Sequence, residues 1–294
     1  MNVTKRSHYL PCFWTAHWNE NYFFAMSKGE KTGKPREQKV FGINFRAKKI
    51  LPDYVKNFFF EDLTRTVALT DKEFLTLSQT HRVVCSDLLD QDAANDEAEC
   101  VFDIEDIFCK LENSPPYVEL RKIITNQCLT TKEQKAAISC LIFTHKDHLP
   151  ELIRSLMSSS HVEGKRQFEA ALELPSLLIK YYHVINDAIH KLCNSDWTLY
   201  ASATPLFPLS DRPVLNFDDA VVIALSPRLL LKIDSTFQDT GIICAHEMSI
   251  PDSLNDAFRV NTIRSANNEI VFCEESLLST WLNSPEAKSR VESI

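Results

Sequence analysis

The sequence predicts an α+β fold, with a mixed or antiparallel sheet built from strands at both ends of the chain and a helical region between them. Three observations predict it. Short runs rich in β-branched and aromatic residues, separated by Pro, Gly and polar turns, concentrate before residue 46 and after residue 196. Between them, from about residue 52 to residue 193, apolar residues recur at helical spacing. A composition of 44% hydrophobic and 24% charged residues over 294 positions supplies a full-sized core. The expectation is one domain, residues 1–294, whose helical middle (approximately 67–194) forms a subdomain.

Each element follows from its residues in turn. Residues 8–24 hold His8, Tyr9, Phe13, Trp14, His17, Trp18, Tyr22, Phe23 and Phe24, an aromatic-rich opening. Residues 22–26 and 40–45 read as the two strands of a hairpin, joined by the polar stretch 28–38 with Gly29, Gly33 and Pro35. A basic cluster of Arg46, Lys48 and Lys49 follows. Residues 71–89 carry Phe74, Leu75, Leu77, Val84, Leu88 and Leu89 at helical spacing, and the acidic 90–99 reads as an exposed link. Residues 104–111 and 118–124 read as short helices broken by Pro115-Pro116. Thr130 with Glu133 three positions on forms a capping box, opening a helix to about His148. Residues 167–192 continue a long helical pattern that Pro175 divides. Beyond Asp196, residues 197–200, 221–225, 229–233 and 242–245 are strand-like, with proline-bearing turns among them. Pro251-Asp252-Ser253 starts a helix with Asp252 or Ser253 as its cap, 269–273 is the last strand, and 276–282 the last helix.

Composition removes several functional classes. Only five glycines occur, and no GxxxxGK or GxGxxG loop can be drawn. A P-loop NTPase and a Rossmann dinucleotide fold both need such a loop for backbone contact with phosphate. The nine cysteines include no CxxC pair, so zinc ribbons and fingers drop out and the thiols read as reduced and buried. A net charge of −8 argues against generic nucleic-acid coating and polybasic membrane binding. No run approaches the roughly 18 apolar residues of a spanning helix, and no secretory signal opens the chain. The expectation is a cytoplasmic protein that does not associate with membranes.

Candidate chemistry gathers at a few positions. A histidine whose ring is held by a carboxylate acts as general base near neutrality, so His8 with Asp211 is the first constellation to weigh. Ser210 beside Asp211 is a nucleophile or a cap. His145 and His148 are three apart and share a helical face, a metal-ligand spacing that lacks the Glu of HExxH. Tyr9 and its aromatic neighbours beside Lys5, Arg6, Arg46, Lys48 and Lys49 would suit base stacking. Each also has a structural reading: turn chemistry for Ser210-Asp211-Arg212-Pro213, a helix end for His145, a core edge for the aromatics. Metal and cofactor identity stay unknown, and a protein partner or a second copy of the chain stays open.

Three segments occur in a telling order. They are Arg6-Ser7-His8-Tyr9-Leu10-Pro11, then Trp197-Thr198-Leu199-Tyr200 with Ser210-Asp211-Arg212-Pro213, then Ser226-Pro227 before a strand. Together they resemble domain of unknown function 4238, a mostly bacterial family, over roughly residues 6–275. The resemblance implies positions and no reaction: His8, Tyr9, Asp211 and Arg212 fall on its motifs, and Asn261 sits where the family keeps an asparagine in a late helix. Two departures stand out. Arg212 replaces an asparagine in the turn, and His145-Lys146-Asp147-His148-Leu149-Pro150 occupies the place of an arginine-bearing segment. The expectations are therefore a hydrolase or nuclease-like effector of stress or phage defence, or else a non-catalytic binding or regulatory module. In the first, His8, Asp211 and Ser210 are catalytic, and Tyr9, Arg212, His145 and Asn261 line the pocket.

Overall fold

The computed structural model describes residues 7–8, 10–45, 49–61, 66–70, 99–103, 112–143, 145–146, 187–217, 219–234, 243–266 and 269–292. Tyr9, the helices expected at 71–89 and 104–111, the acidic link at 90–98 and most of the 167–192 pattern lie outside them. The described residues form an α+β structure with antiparallel and mixed sheets.

Strand β1 (Ser7–His8) leads into helices α1 (Cys12–Ala16) and α2 (Glu20–Ser27). Helix α2 stands where the sequence predicts a strand over 22–26. The Asn19 side chain decides it, accepting the Tyr22 N–H at 2.9 Å as an N-cap, with Glu20 in the favourable first turn. Local capping outweighs the strand preference of three clustered aromatics. The indole N–H groups of Trp14 and Trp18 donate to Leu225 O (3.0 Å) and Phe207 O (2.7 Å), tying these helices to the C-terminal half.

The hairpin partner of β2 (Lys39–Asn44) is instead β3 (Lys49–Tyr54). Strand β4 (Phe60–Glu61) pairs with β1. Strands β5 (Thr66–Thr70) and β6 (Glu99–Asp103) pair antiparallel inside the stretch expected to be helical. Pro115-Pro116 begins α3 (Pro115–Asn126) rather than breaking a helix, because proline suits the first turn, whose N–H groups have no helical partner. In α4 (Lys132–Phe143) the capping box is shifted by one residue. Thr131 Oγ1 accepts the Gln134 N–H at 3.2 Å, and Gln134 Oε1 accepts the Thr130 N–H at 3.0 Å. Residues 137–142 of α4 are all buried, as expected of a helix apolar on every side. Helix α5 is Asp187–Asn194.

Two larger sheets follow. Strands β7 (Asp196–Ala201), β9 (Val214–Asn216), β10 (Ala220–Ser226), β11 (Leu229–Asp234) and β12 (Ala245–Glu247) make a five-stranded sheet in the order β12-β7-β11-β10-β9. Only β12 runs parallel to its neighbour, and it begins three residues later than the run expected at 242–245. The second sheet, β3-β2-β13-β8, joins β8 (Leu209–Ser210) and β13 (Glu269–Phe272) to the N-terminal hairpin, so both ends of the chain do build one sheet. Helix α6 (Asp252–Ser265) starts at Pro251 without a side-chain cap, and Asp252 sits in its first turn. Helices α7 (Glu275–Leu282) and α8 (Pro285–Glu292) close the chain. Ile43, Phe45, Ile263, Phe272, Leu278 and Trp281 form a small core between this sheet and the last helices. The main core lies on the sheet's other face, where Gly42 leaves room for the Phe58 ring; a Cβ there would stand 2.2 Å from it.

Candidate functional site: the corner where β8 meets β13

Asp211 follows β8, which pairs with β13 through Ile270↔Ser210, and its N–H donates to Glu269 O at 3.1 Å. Glu269 opens β13 and is buried, opposite Asn44 of β2. Its Oε1 accepts from Asn44 Nδ2 at 2.8 Å and its Oε2 from the Phe59 N–H at 2.6 Å. Phe59 is fully buried with φ 54°, a left-handed backbone that a bulky residue adopts only when its surroundings enforce it. Phe60, the next residue, pairs with His8. Strand pairing and hydrogen bonds therefore link the backbone of the His8 strand, through Phe60, Phe59 and Glu269, to the backbone of Asp211.

Ser210 is buried and works within the turn. Its hydroxyl donates to Arg212 O at 2.7 Å and accepts the Arg212 N–H at 3.2 Å. Among the described residues the buried Nε of Arg212 has no hydrogen-bond partner. A buried donor left unmade is expensive, so this guanidinium is suited to an incoming anion. Arg290 approaches from α8. It donates to the carbonyls of Ile263, Arg264 and Ala266 at the end of α6 and stacks over the Phe45 ring at 4.6 Å. Cations belong at that end, where helix carbonyls lack partners. Burial lowers the pKa of Arg290, and the Asp211 carboxylate partly offsets this. A surface cleft of about 560 Å³ lies alongside, lined by Ile263, Arg264, Pro285, Glu286, Ser289 and Arg290.

The other expected site residues stand elsewhere. Asn261 donates to Ala257 O of its own helix at 2.9 Å. His145 is buried beside Trp14, and its Nε2 shares a 2.8 Å hydrogen bond with the Tyr117 hydroxyl. Burial pushes its pKa down to about 3. His17 is likewise buried, with Nδ1 2.7 Å from Phe13 O and a pKa pushed down to about 4 by burial. His148 and Tyr9 lie outside the described residues. Of the aromatics expected as a stacking surface, Phe13, Trp14, Trp18, Tyr22 and Phe23 are core. Among the described residues, no group of three or more His, Cys, Asp and Glu side chains is placed to hold a metal.

Glu269, Asn44 and Arg290 are additions that the sequence does not announce. A Glu at a strand start reads as solvated, and its partner Asn44 is 225 positions away. No family model, no curated protein and no solved structure matches this chain.

Proposed function

We propose that the chain is a cytoplasmic hydrolase of a phosphodiester or nucleotide, with its reaction centre at the β8–β13 corner. The observation that supports this reading is a run of strand pairings and hydrogen bonds that links the His8 strand, through Phe60, Phe59 and Glu269, to Asp211. In this reading His8 takes a proton from water as that water attacks phosphorus. The bond from phosphorus to the leaving oxygen breaks, and that oxygen receives a proton. Asp211 orients the imidazole, Arg212 meets the anionic oxygens, and Ser210 holds the turn. The resemblance to domain of unknown function 4238 adds the bacterial setting and a role in stress or phage defence.

The test is turnover by the full chain on bis(p-nitrophenyl) phosphate, nucleoside triphosphates and oligonucleotides, with Mg²⁺ or Mn²⁺ supplied. His8→Ala and Asp211→Ala each lower the rate by about 10²-fold or more while the melting temperature holds. Turnover that persists in both variants, or none from the wild type on any substrate, overturns the reading. A second reading, a non-catalytic binding or regulatory module, draws on a different observation. Ser210, Asn261 and His145 direct their polar atoms at the protein itself, while Phe24, Ile50, Tyr54 and Met248 are exposed. It predicts an inert protein whose His8→Ala variant keeps both its fold and its partner.

A further inference from the structure

Charge is segregated along this chain. Residues 28–56 carry nine basic side chains (Lys28, Lys31, Lys34, Arg36, Lys39, Arg46, Lys48, Lys49, Lys56) against Glu30, Glu37 and Asp53. That is a local excess of positive charge in a chain whose net charge is −8. The fold presents part of it around one ring. Lys39 and Tyr54 are cross-strand partners, and the Nζ atoms of Lys39 and Lys56 each stand 5.2 Å from the Tyr54 ring centroid. The Val55 N–H donates to Gln38 O at 2.8 Å, which holds the Pro35–Glu37 turn, with exposed Arg36, against this strand. Asp53 is engaged beside the ring, its Oδ1 accepting the Tyr54 N–H and Asn57 Nδ2 at 2.7 Å each.

Strand β3 is the outer strand of its sheet, and alternate residues share a face. Ile50 (49% exposed), Pro52 and Tyr54 (39%) lie on that face in the open, whereas their neighbours Ile43 of β2 and Ile270 of β13 are covered by the last helices. An apolar strip ending in an exposed ring beside two lysines supplies the two elements a single strand needs, an aromatic for a base and cations for phosphates. An added peptide strand fits less well, because Pro52 lacks an N–H and flanking lysines guard sheet edges against further pairing.

We propose that the outward face of β3, with Tyr54, Lys39 and Lys56, binds a single-stranded nucleic acid. The surface is separate from the β8–β13 corner, at the opposite edge of the same sheet and roughly 14 Å away across three strand spacings. It therefore stands or falls independently of catalysis.

The experiment is fluorescence anisotropy of the full chain with labelled oligothymidylate across a salt series. Binding weakens as salt rises, and the slope of log K against log salt flattens by about 0.7 for each phosphate contact removed, hence by about 1.4 in a Lys39→Ala, Lys56→Ala double variant. Tyr54→Ala weakens binding about tenfold and leaves the slope alone. All three positions are exposed, and unchanged melting temperatures exclude misfolding. No binding at low salt, or binding indifferent to both variants, overturns the proposal. So does a polyglutamate peptide that competes as well as the oligonucleotide, which would make the surface a site for an acidic protein segment.

Discussion

The five-stranded sheet takes all its strands from residues 196–247, and its neighbours β10 and β11 are joined by a tight turn. The four-stranded sheet instead sets Asn44 opposite Glu269, 225 positions apart in the chain. Their interiors differ accordingly. In β10 every residue but Val221 is buried, and the strand holds its place by apolar burial on both faces. At the seam of the four-stranded sheet a buried carboxylate binds Asn44 and the strained Phe59 at once. A strand pairing closed over so long a loop gains register from a polar clasp that accepts one alignment only. The local meander needs no such device.

The largest expected effect breaks the clasp. Glu269→Ala leaves Asn44 and the Phe59 N–H without their acceptor in a buried site and should cost about 4 kcal/mol, with the loss concentrated in the β2–β13 pairing. Urea unfolding measures the total, and hydrogen exchange shows whether amides of β2 and β13 lose protection before those of β10 and β11. Equal loss across both sheets would dissolve the distinction. Next comes Ile223→Ala at the centre of β10, a fully buried residue paired with Leu231 and Val214. It should cost about 3 kcal/mol through lost burial and the cavity left behind, with cooperative unfolding retained.

These two regions also differ in how far the sequence discloses them. The runs at 221–225 and 229–233 are apolar enough, and bounded tightly enough by Pro227 and Arg228, to be read directly as strands. That the last strand joins the N-terminal hairpin is legible as a class of fold. The partner of that hairpin is not, because the aromatic 22–26 looks strand-like until the Asn19 cap is weighed. A comparable signal, Ser284 before Pro285, marks α8: its hydroxyl accepts the Ala287 N–H at 3.3 Å. The candidate site divides in the same way. The Ser210–Pro213 turn is visible in four residues, whereas Glu269 gains its role only from a neighbour brought by the fold. His145 shows the opposite error, since a histidine near a helix end looks available until Trp14 and Tyr117 enclose it.

Acid offers a third way to separate the regions, because His17 and His145 belong to the helical layer that Trp14 ties to Leu225 of the five-stranded sheet. Both have native pKa values lowered from 6.5, to about 4 and about 3. The unfolded chain therefore binds protons that the native state refuses. Stability is intact above pH 6.5 and is lost as pH falls from there toward about 4 for His17 and about 3 for His145, by roughly 2 kcal/mol per histidine at pH 5. His145→Gln, which can keep the Tyr117 hydrogen bond without titrating, should flatten the decline of melting temperature between pH 6.5 and 5. An unaltered profile would remove His145 from the account.

The smallest effect sharpens the comparison most directly, because it places a charge in the other sheet. Lys232 and Asp234, alternate residues of β11 and so on one face, form an ion pair at 2.5 Å with about a quarter of each side chain exposed. Water and salt reach this pair as they cannot reach Glu269, and ordering two side chains offsets much of the attraction. Lys232→Met, which keeps the aliphatic stem against the sheet, should therefore change stability by no more than about 0.5 kcal/mol. That difference should shrink further as salt rises toward 1 M, whereas the loss from Glu269→Ala should hardly move. A Lys232→Met penalty as large as that of Glu269→Ala would mean that the meander, too, depends on a polar anchor. A small one leaves the clasp at Glu269 as the feature that aligns strands from opposite ends of the chain.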